Sequence, residues 1–160
     1  GRDAILGELH AGWEVLERTS AHAAVGQCAW MLGGGERVLE MTVEYMKQRV
    51  QFGRPIGAFQ AIQHHCANMA VDVEACRSLT YYAAWRLAQD PEAASEVAMA
   101  KAWVSEAYQR VCSLAHQCHG AIGFTMDYNL QLYTRRAKAA ELAFGDADYH
   151  RERVAQLLGV

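Results

Sequence analysis

Two segments of the sequence have residue types that could form part of a ligand-binding site. Residues 45–60 read Tyr-Met-Lys-Gln-Arg-Val-Gln-Phe-Gly-Arg-Pro-Ile-Gly-Ala-Phe-Gln, and residues 117–124 read Gln-Cys-His-Gly-Ala-Ile-Gly-Phe. The glycines of the second segment would let a ligand approach the backbone closely. Both segments can also be plain helix ends, with Gly53 following the first helix and Pro55 preventing its continuation. The residue types alone leave both interpretations open.

Cysteine and histidine, the residues that bind zinc most often, occur in two groups: Cys112, His116, Cys118 and His119, and the adjacent His64, His65 and Cys66. Cys112 and His116 share one face of a predicted helix, whereas the next two residues lie partly round it. The sequence has no C-x-x-C pair. We therefore predict core and polar-surface roles for these side chains, and no metal site.

An aromatic group on the second predicted helix is the third candidate for ligand binding. Tyr81, Tyr82 and Trp85, together with Met69 and Met99, could line an aromatic pocket. At helical spacing such residues are more often packed in a core, so we expect core packing here.

The apolar pattern predicts that long helices position these segments. Only two prolines occur in 160 residues, and apolar residues recur every three or four positions between the glycine breaks. The predicted helices span about residues 21–51, 58–90, 92–119, 127–144 and 146–158. On the second helix the spacing predicts a buried seam of Ile62, Cys66, Met69, Val73, Cys76, Thr80, Ala83 and Leu87. On the third helix it predicts an apolar face of Val97, Val104, Tyr108, Val111, Ala115 and Cys118, with Lys101 on the same face. Three adjacent glycines at 33–35 would permit a bend or a close neighbour. Because the connections are short, the expected fold class is all-α, an up-down four-helix bundle with a short fifth C-terminal helix.

Composition restricts the classes of partner and the compartment. With 15 basic and 18 acidic residues the net charge is −3, so we expect neither a nucleic acid nor a membrane as partner. No apolar run is long enough for a transmembrane helix, and residues 1–7 lack the features of a signal peptide. The odd number of cysteines, five, argues against a disulfide framework. These features predict a cytoplasmic protein.

Residues 1–20 differ from the rest because their apolar residues follow no clear period. We predict that they are the residual tail of a preceding β-domain or a linker, and that residues 21–160 form the helical bundle domain. The fourth helix is expected to begin at Asp127 and to end before Gly145.

Three motifs, taken in order, resemble the C-terminal helical domain of acyl-CoA dehydrogenases. That family carries R-x-Q-F-G-x-P-I-x-x-F-Q, then Q-x-x-G-G-x-G-[FY], then R-x-A-K. The corresponding segments here are residues 49–60, 117–124 and 135–138. The similarity extends from about residue 4 to 157, and residues 4–16 resemble the exit from the family's middle β-domain. The resemblance implies an acyl-CoA dehydrogenase C-terminal-domain-like fold.

The resemblance also implies a flavin enzyme that removes hydrogens from C2 and C3 of an acyl-CoA thioester. A carboxylate would take the C2 proton while a hydride passes from C3 to FAD. By position, Arg49 would reach the FAD diphosphate across a subunit interface. The other residues placed at the cofactor are Gln51, Phe52, Ile56 and Gln60 around the pocket and Gln117 and Gly120 at the adenosine end. The implied partners are the acyl-CoA substrate, an electron acceptor flavoprotein, and other subunits in a homo- or hetero-oligomer, expected to be a dimer of dimers.

The catalytic carboxylate is missing from both positions where the family carries it. Phe144 stands at the common position, and Ala23 stands at the alternative position on the first helix. Ala24 occupies a place where an arginine often lines the acyl-CoA site. The base is therefore unknown, although three carboxylates could replace it while also being explained as surface or cap residues: Glu36, Asp127 and Glu141.

The flavin site departs from the family as well. Ala121 replaces the second glycine of the glycine pair, and Asp146 and Asp148 would oppose a nearby phosphate by their charge. Two functions follow. The first is the C-terminal domain or subunit of an FAD-dependent acyl-CoA dehydrogenase, contributing to flavin binding and subunit assembly. The alternative is a catalytically silent structural or oligomerisation subunit without an active site of its own.

Overall fold

Five α-helices dominate the structure, a computed structural model that describes residues 7–8, 10–91 and 93–160. The elements are α1 (Gly12–Gln48), β1 (Val50–Gln51), β2 (Arg54–Pro55), α2 (Gln60–Gln89), α3 (Ala94–His119), α4 (Leu130–Leu142) and α5 (Ala147–Leu158). Two 3₁₀ turns, Ile56–Ala58 and Gly120–Phe124, precede α2 and α4. The predicted all-α bundle with a short fifth helix is confirmed.

Helix α3 is the centre of the bundle and packs against α1, α2, α4 and α5. Its predicted apolar face is buried along its whole length: Val97, Lys101, Val104, Tyr108, Val111, Ala115 and Cys118. The predicted seam of α2 is buried at Met69, Val73, Cys76, Thr80, Ala83 and Leu87, whereas its first two members, Ile62 and Cys66, are partly buried. A period of three and four residues places these side chains on one stripe, and their burial removes that stripe from water.

The glycines of α1 permit the close neighbour that the sequence predicts. A Cβ atom on Gly34 would lie 2.3 Å from the Tyr108 hydroxyl oxygen and 2.7 Å from its Cζ. Tyr108 is buried in the main core. Without a side chain at residue 34, α1 can approach the tyrosine ring of α3 directly.

The segment after α1 is a β-hairpin, which the sequence interpretation missed. Helix α1 ends at Gln48 instead of about residue 51, and β1 and β2 pair antiparallel, with Val50 opposite Pro55. The two turn residues, Phe52 and Gly53, have φ values of 53° and 79°. Two consecutive left-handed residues are typical of tight hairpin turns. Gly53 therefore forms this turn and does not end the helix, and Val50 is exposed.

Other helix ends also differ from the predictions. Helix α1 begins at Gly12 instead of about residue 21, and residues 12–19 are all exposed, so no apolar stripe marks this first part. Helix α4 begins at Leu130, and Asp127 lies in the turn before it. The assignment of residues 1–20 to a preceding domain or a linker stays a prediction, and residues 1–6 and 9 lie outside the described residues.

The aromatic residues of α2 are on the surface, so the expectation of core packing is wrong for them. Tyr81, Tyr82 and Trp85 are exposed, whereas Met69 is fully buried and Met99 is exposed. Tyr82 and Trp85 contact each other, with ring centroids 6.0 Å apart. Helical spacing alone does not show whether an apolar face is covered by the same chain.

None of the described helices is long and apolar enough to cross a lipid bilayer.

Candidate functional site

The hairpin presents the first predicted group of cofactor residues on the outside of the bundle. The Ile56 N–H donates to the Arg49 carbonyl at 2.8 Å and closes the base of the hairpin. At its tip, Phe52 contacts the Phe59 ring edge-on at 6.0 Å, and the Arg54 guanidinium lies 4.2 Å from the same ring. These contacts fix a short hairpin on which the Arg49 side chain is exposed and Phe52 is 91% exposed. Its donors and aromatic face are available to a ligand or partner.

The end of α3 and the 3₁₀ turn after it carry the second group. Gln117 and Gly120 are exposed and line a groove of about 530 Å³, together with Gln109, Cys112, Ser113, His116, Ala121, Phe124 and Thr134. The His116 ring is stacked on Phe124 with centroids 4.2 Å apart, and its Nε2 lies 2.7 Å from the Thr134 hydroxyl. Gly120 has a φ of 64°, and no atom lies within 4 Å of where its Cβ would be. Its backbone is open to close approach.

An aromatic cluster connects these two groups. The His119 ring is stacked on Tyr45 with centroids 4.5 Å apart, and its Nε2 lies 3.0 Å from the Tyr128 hydroxyl. His119 Nδ1 lies 2.8 Å from the Ala115 carbonyl, so the N–H is on Nδ1 and the tyrosine donates to Nε2. Burial lowers the pKa of His119 and favours this neutral form. The cluster holds the end of α1 beside the turn that begins at Gly120.

The predicted cofactor residues are therefore brought to one end of the bundle, although they do not share one cavity. Arg49, Gln51 and Phe52 are on the hairpin, and Ile56 packs partly buried against the core. Gln60 is exposed at the first position of α2. The groove at the end of α3 includes Gln117 and Gly120 but no residue of the hairpin. Whether these side chains bind a cofactor stays a prediction.

A second cavity lies at the opposite end of α1. It has a volume of about 730 Å³ and is lined by the first part of α1, the start of α3, the α4–α5 turn and α5. Ala24 and Phe144 both line it, whereas Ala23 is partly buried and is not part of its wall. Of the two positions where the resembled family carries its catalytic carboxylate, the one occupied by Phe144 therefore lines the cavity. Ala24 and the hairpin are separated by about 36 Å along α1, so they belong to two different sites.

The replacement carboxylates suggested by the sequence lie away from this cavity. Glu36 Oε1 lies 2.8 Å from an Arg77 guanidinium nitrogen. Glu141 Oε2 accepts a hydrogen bond from Lys138 at 2.7 Å. Asp127 is exposed in the turn before α4. None of the three is among the residues described as lining the cavity.

Three cavity-side residues escaped the sequence interpretation because their partners are distant in sequence. Glu17 of α1 forms an ion pair with Arg153 of α5, and both line the cavity. His150 is buried, and its Nε2 lies 2.9 Å from the Phe144 carbonyl. Burial lowers the pKa of His150, so the ring is neutral and donates from Nε2. Nothing local in the sequence distinguishes these residues from an ordinary helix surface.

The cysteines and histidines have structural partners. Within the described ranges, no group of three or more His, Cys, Asp or Glu side chains is arranged to hold a metal ion. Burial raises the pKa of Cys112 to about 12, which disfavours the thiolate that a metal requires. His116 and His119 contact Thr134 and Tyr128 instead.

This geometry is that of a helical domain with its candidate binding groups facing outwards. The family model of the acyl-CoA dehydrogenase C-terminal domain matches residues 10–159, and the chain belongs to that family. It is 32% identical to the mitochondrial short/branched chain specific acyl-CoA dehydrogenase of Bos taurus, covering 96% of this chain and 36% of that protein. It is 33% identical to the 3-(aryl)acrylate reductase of Clostridium sporogenes, covering 96% and 41%.

A solved structure shows the same fold. The butyryl-CoA dehydrogenase of Megasphaera elsdenii superposes with a TM-score of 0.94 at 32% identity, covering 100% of this chain and 42% of that one. The chain thus spans about two fifths of the length of the relatives that it matches. The remaining three fifths of those proteins have no counterpart in these 160 residues.

Proposed function

We propose that the chain is the C-terminal domain or subunit of an FAD-dependent acyl-CoA dehydrogenase, contributing to flavin binding and subunit assembly. The observation that carries the proposal is the hairpin, which is held by Phe59 and the core and exposes Arg49, Gln51 and Phe52. A guanidinium is suited to phosphate oxygens because it donates two parallel hydrogen bonds. An exposed aromatic ring offers a flat apolar surface next to it.

The donors present fit a dinucleotide such as FAD. Arg49 would bind the diphosphate, and Gln117 with the open backbone of Gly120 would bind the adenosine end. The acidic residues that depart from the family are engaged locally: Asp146 Oδ1 accepts from the Tyr149 N–H, and Asp148 pairs with an arginine one turn later. Both lie at the start of α5, and their charges are partly compensated there.

The chemistry supplied by FAD is acceptance of a hydride from C3 of an acyl thioester. The chain's own contribution at the second cavity is an apolar wall, formed by residues such as Ala24 and Phe144, which excludes water from an acyl group. Neither residue can accept the C2 proton. We infer that the carboxylate comes from a partner subunit or from an unusual position; among the described residues, Glu14 and Glu17 line the same cavity, and Glu17 is paired with Arg153.

The separation of the two sites supports assembly with other subunits. Because the hairpin and the cavity are about 36 Å apart along α1, the groups at one end serve one site and the cavity wall serves another. We infer a homo- or hetero-oligomer, with a dimer of dimers as the arrangement implied by the family. Electrons taken from the substrate must leave before the next turnover, so an electron acceptor flavoprotein is also inferred. The free cysteines are consistent with a cytoplasmic location.

The test is the colour and the reduction of the full-length protein purified with its partner subunits. We expect flavin absorption in the visible region, and bleaching of that absorption when octanoyl-CoA is added without oxygen. A colourless assembly, or a flavin that no acyl-CoA reduces, would contradict the proposal.

A catalytically silent structural subunit is the second candidate, and Phe144 is the observation that favours it. The turn that carries the carboxylate in the family is present here but holds a phenylalanine. Steady oxidation of octanoyl-CoA by the chain without a partner would rule this candidate out. Normal assembly without bound flavin, and without loss of partner activity when Arg49 is replaced by alanine, would support it.

A further inference from the structure

The turn between α4 and α5 has an unusual backbone. Phe144 and Gly145 have φ values of 59° and 93°, both left-handed. A bulky residue adopts this conformation only where its surroundings hold it. Gly145 is tightly enclosed, since a Cβ atom there would lie 2.4 Å from Tyr149 Cδ1. The turn is therefore fixed by contacts from outside it.

Two buried side chains supply those contacts. The fully buried Lys101 ammonium of α3 donates to the carbonyls of Glu141 at 2.9 Å and Gly145 at 2.7 Å, and to the Ser105 hydroxyl at 2.9 Å. His150 of α5 donates to the Phe144 carbonyl at 2.9 Å. The ammonium thus satisfies a carbonyl at the end of α4 that has no partner within the helix.

These contacts fix the backbone from which the Phe144 side chain projects. Phe144 is 51% exposed and lines the cavity of about 730 Å³ beside Ala24. Much of the remaining wall is apolar, including Leu16, Val97, Ala98 and Leu157. The carboxylate of Glu17 is paired with Arg153, and the charged residues Glu14 and Arg18 also line the cavity. The apolar part of this wall, which includes Phe144, suits a saturated hydrocarbon chain.

We propose that Phe144 determines specificity by packing against the apolar acyl chain of a thioester, and that Lys101 is the positioning residue that holds Phe144 against it. The inference rests on the proposed function, because it takes the cavity to be the acyl site. It assigns a role to a residue that stands where the family has its base. The buried Lys101 ammonium positions the turn that carries Phe144 and takes no part in proton transfer.

The test is a double-mutant cycle on the full-length protein with its partners, using octanoyl-CoA as probe and free CoA as the probe without an acyl chain. Phe144→Ala removes the wall, Lys101→Met removes the donor while keeping side-chain length, and Leu132→Ala is an exposed apolar control outside the cavity. We expect each of the first two changes to raise the octanoyl-CoA Kd about tenfold. The double variant should bind octanoyl-CoA no more weakly than the single variant with the higher Kd.

The possible outcomes distinguish failure of this inference from failure of the proposed function. The inference is supported if the variants bind free CoA with unchanged Kd, if Leu132→Ala binds octanoyl-CoA with unchanged Kd, and if the Phe144 and Lys101 effects on octanoyl-CoA are not additive. If the two increases in the octanoyl-CoA Kd multiply in the double variant, or if the Kd for free CoA rises equally, Lys101 is only structural and the inference is overturned. If Lys101→Met does not fold, Lys101→Gln, which is also outside the cavity wall, takes its place in the cycle. Failure of the wild-type protein to bind octanoyl-CoA would instead refute the proposed function, and the inference with it.

Discussion

Replacing Gly34 by alanine tests how α1 packs against α3. The added Cβ would lie 2.3 Å from the Tyr108 hydroxyl oxygen, well inside van der Waals contact. Tyr108 is 2% exposed and packs within the main core, so a shift of its ring would displace other core residues. Overpacking of a core costs about 1–3 kcal/mol, and this overlap belongs at the upper end of that range. Alanine regains about 1 kcal/mol of helix propensity.

The expected net effect is a loss of about 2 kcal/mol in the free energy of unfolding. The adjacent Gly33 is the matched control, because no atom lies within 4 Å of where its Cβ would be. Gly33→Ala should raise stability by about 0.5–1 kcal/mol from propensity alone. Urea unfolding followed by circular dichroism, with an unchanged denaturant slope, measures both. If Gly34→Ala were as stable as Gly33→Ala, the close contact between Tyr108 and α1 would be refuted.

Three other changes test separate parts of the structure. Gly145→Ala should cost about 1–3 kcal/mol more than Gly159→Ala in urea unfolding, since both residues have positive φ but only Gly145 is enclosed; equal losses would contradict this. Burial lowers the pKa of His116, His119 and His150 in the folded state, so the unfolded chain binds more protons below about pH 6.5. Stability is then full above that pH and falls below it. The urea midpoint should decrease between about pH 7.5 and about pH 5.5, and decrease less in His150→Gln; equal decreases would count against the role of this ring. Burial raises the pKa of Cys28, Cys76 and Cys112 to about 12, so a thiol reagent near neutral pH should label them only after unfolding. Rapid labelling of these three in the folded protein would show that they are not buried.

Much of the bundle could be predicted from the sequence because its helices bury one stripe each. The seam of α2 and the face of α3, including Lys101, follow from spacing alone. The first part of α1 was missed because residues 12–19 are exposed on every side and carry no stripe. The hairpin was missed because two-residue strands are too short to show a period.

The candidate site was less predictable because its geometry depends on contacts between distant residues. The resemblance placed Arg49 and Gln117 at a cofactor, and the structure brings both to one end through the stack of Tyr45 on His119. The reach of Lys101 to Gly145 joins residues that are 44 positions apart. Such a contact has no local signature, since the same lysine would read as a surface residue in another fold. The aromatic residues of α2 were expected in the core and are exposed, because periodicity does not reveal which apolar face of a helix stays uncovered.

In the proposed function, the exposed Arg49 at the base of the hairpin binds the FAD diphosphate. The most direct measurement is the FAD dissociation constant of the full-length assembly in Arg49→Ala, compared with Arg37→Ala, which removes an exposed guanidinium of α1 that pairs with Glu40. Loss of a charge-assisted hydrogen bond should raise the FAD Kd about ten- to hundredfold in Arg49→Ala. Arg37→Ala should leave it unchanged. Equal FAD affinity in both variants would contradict the account.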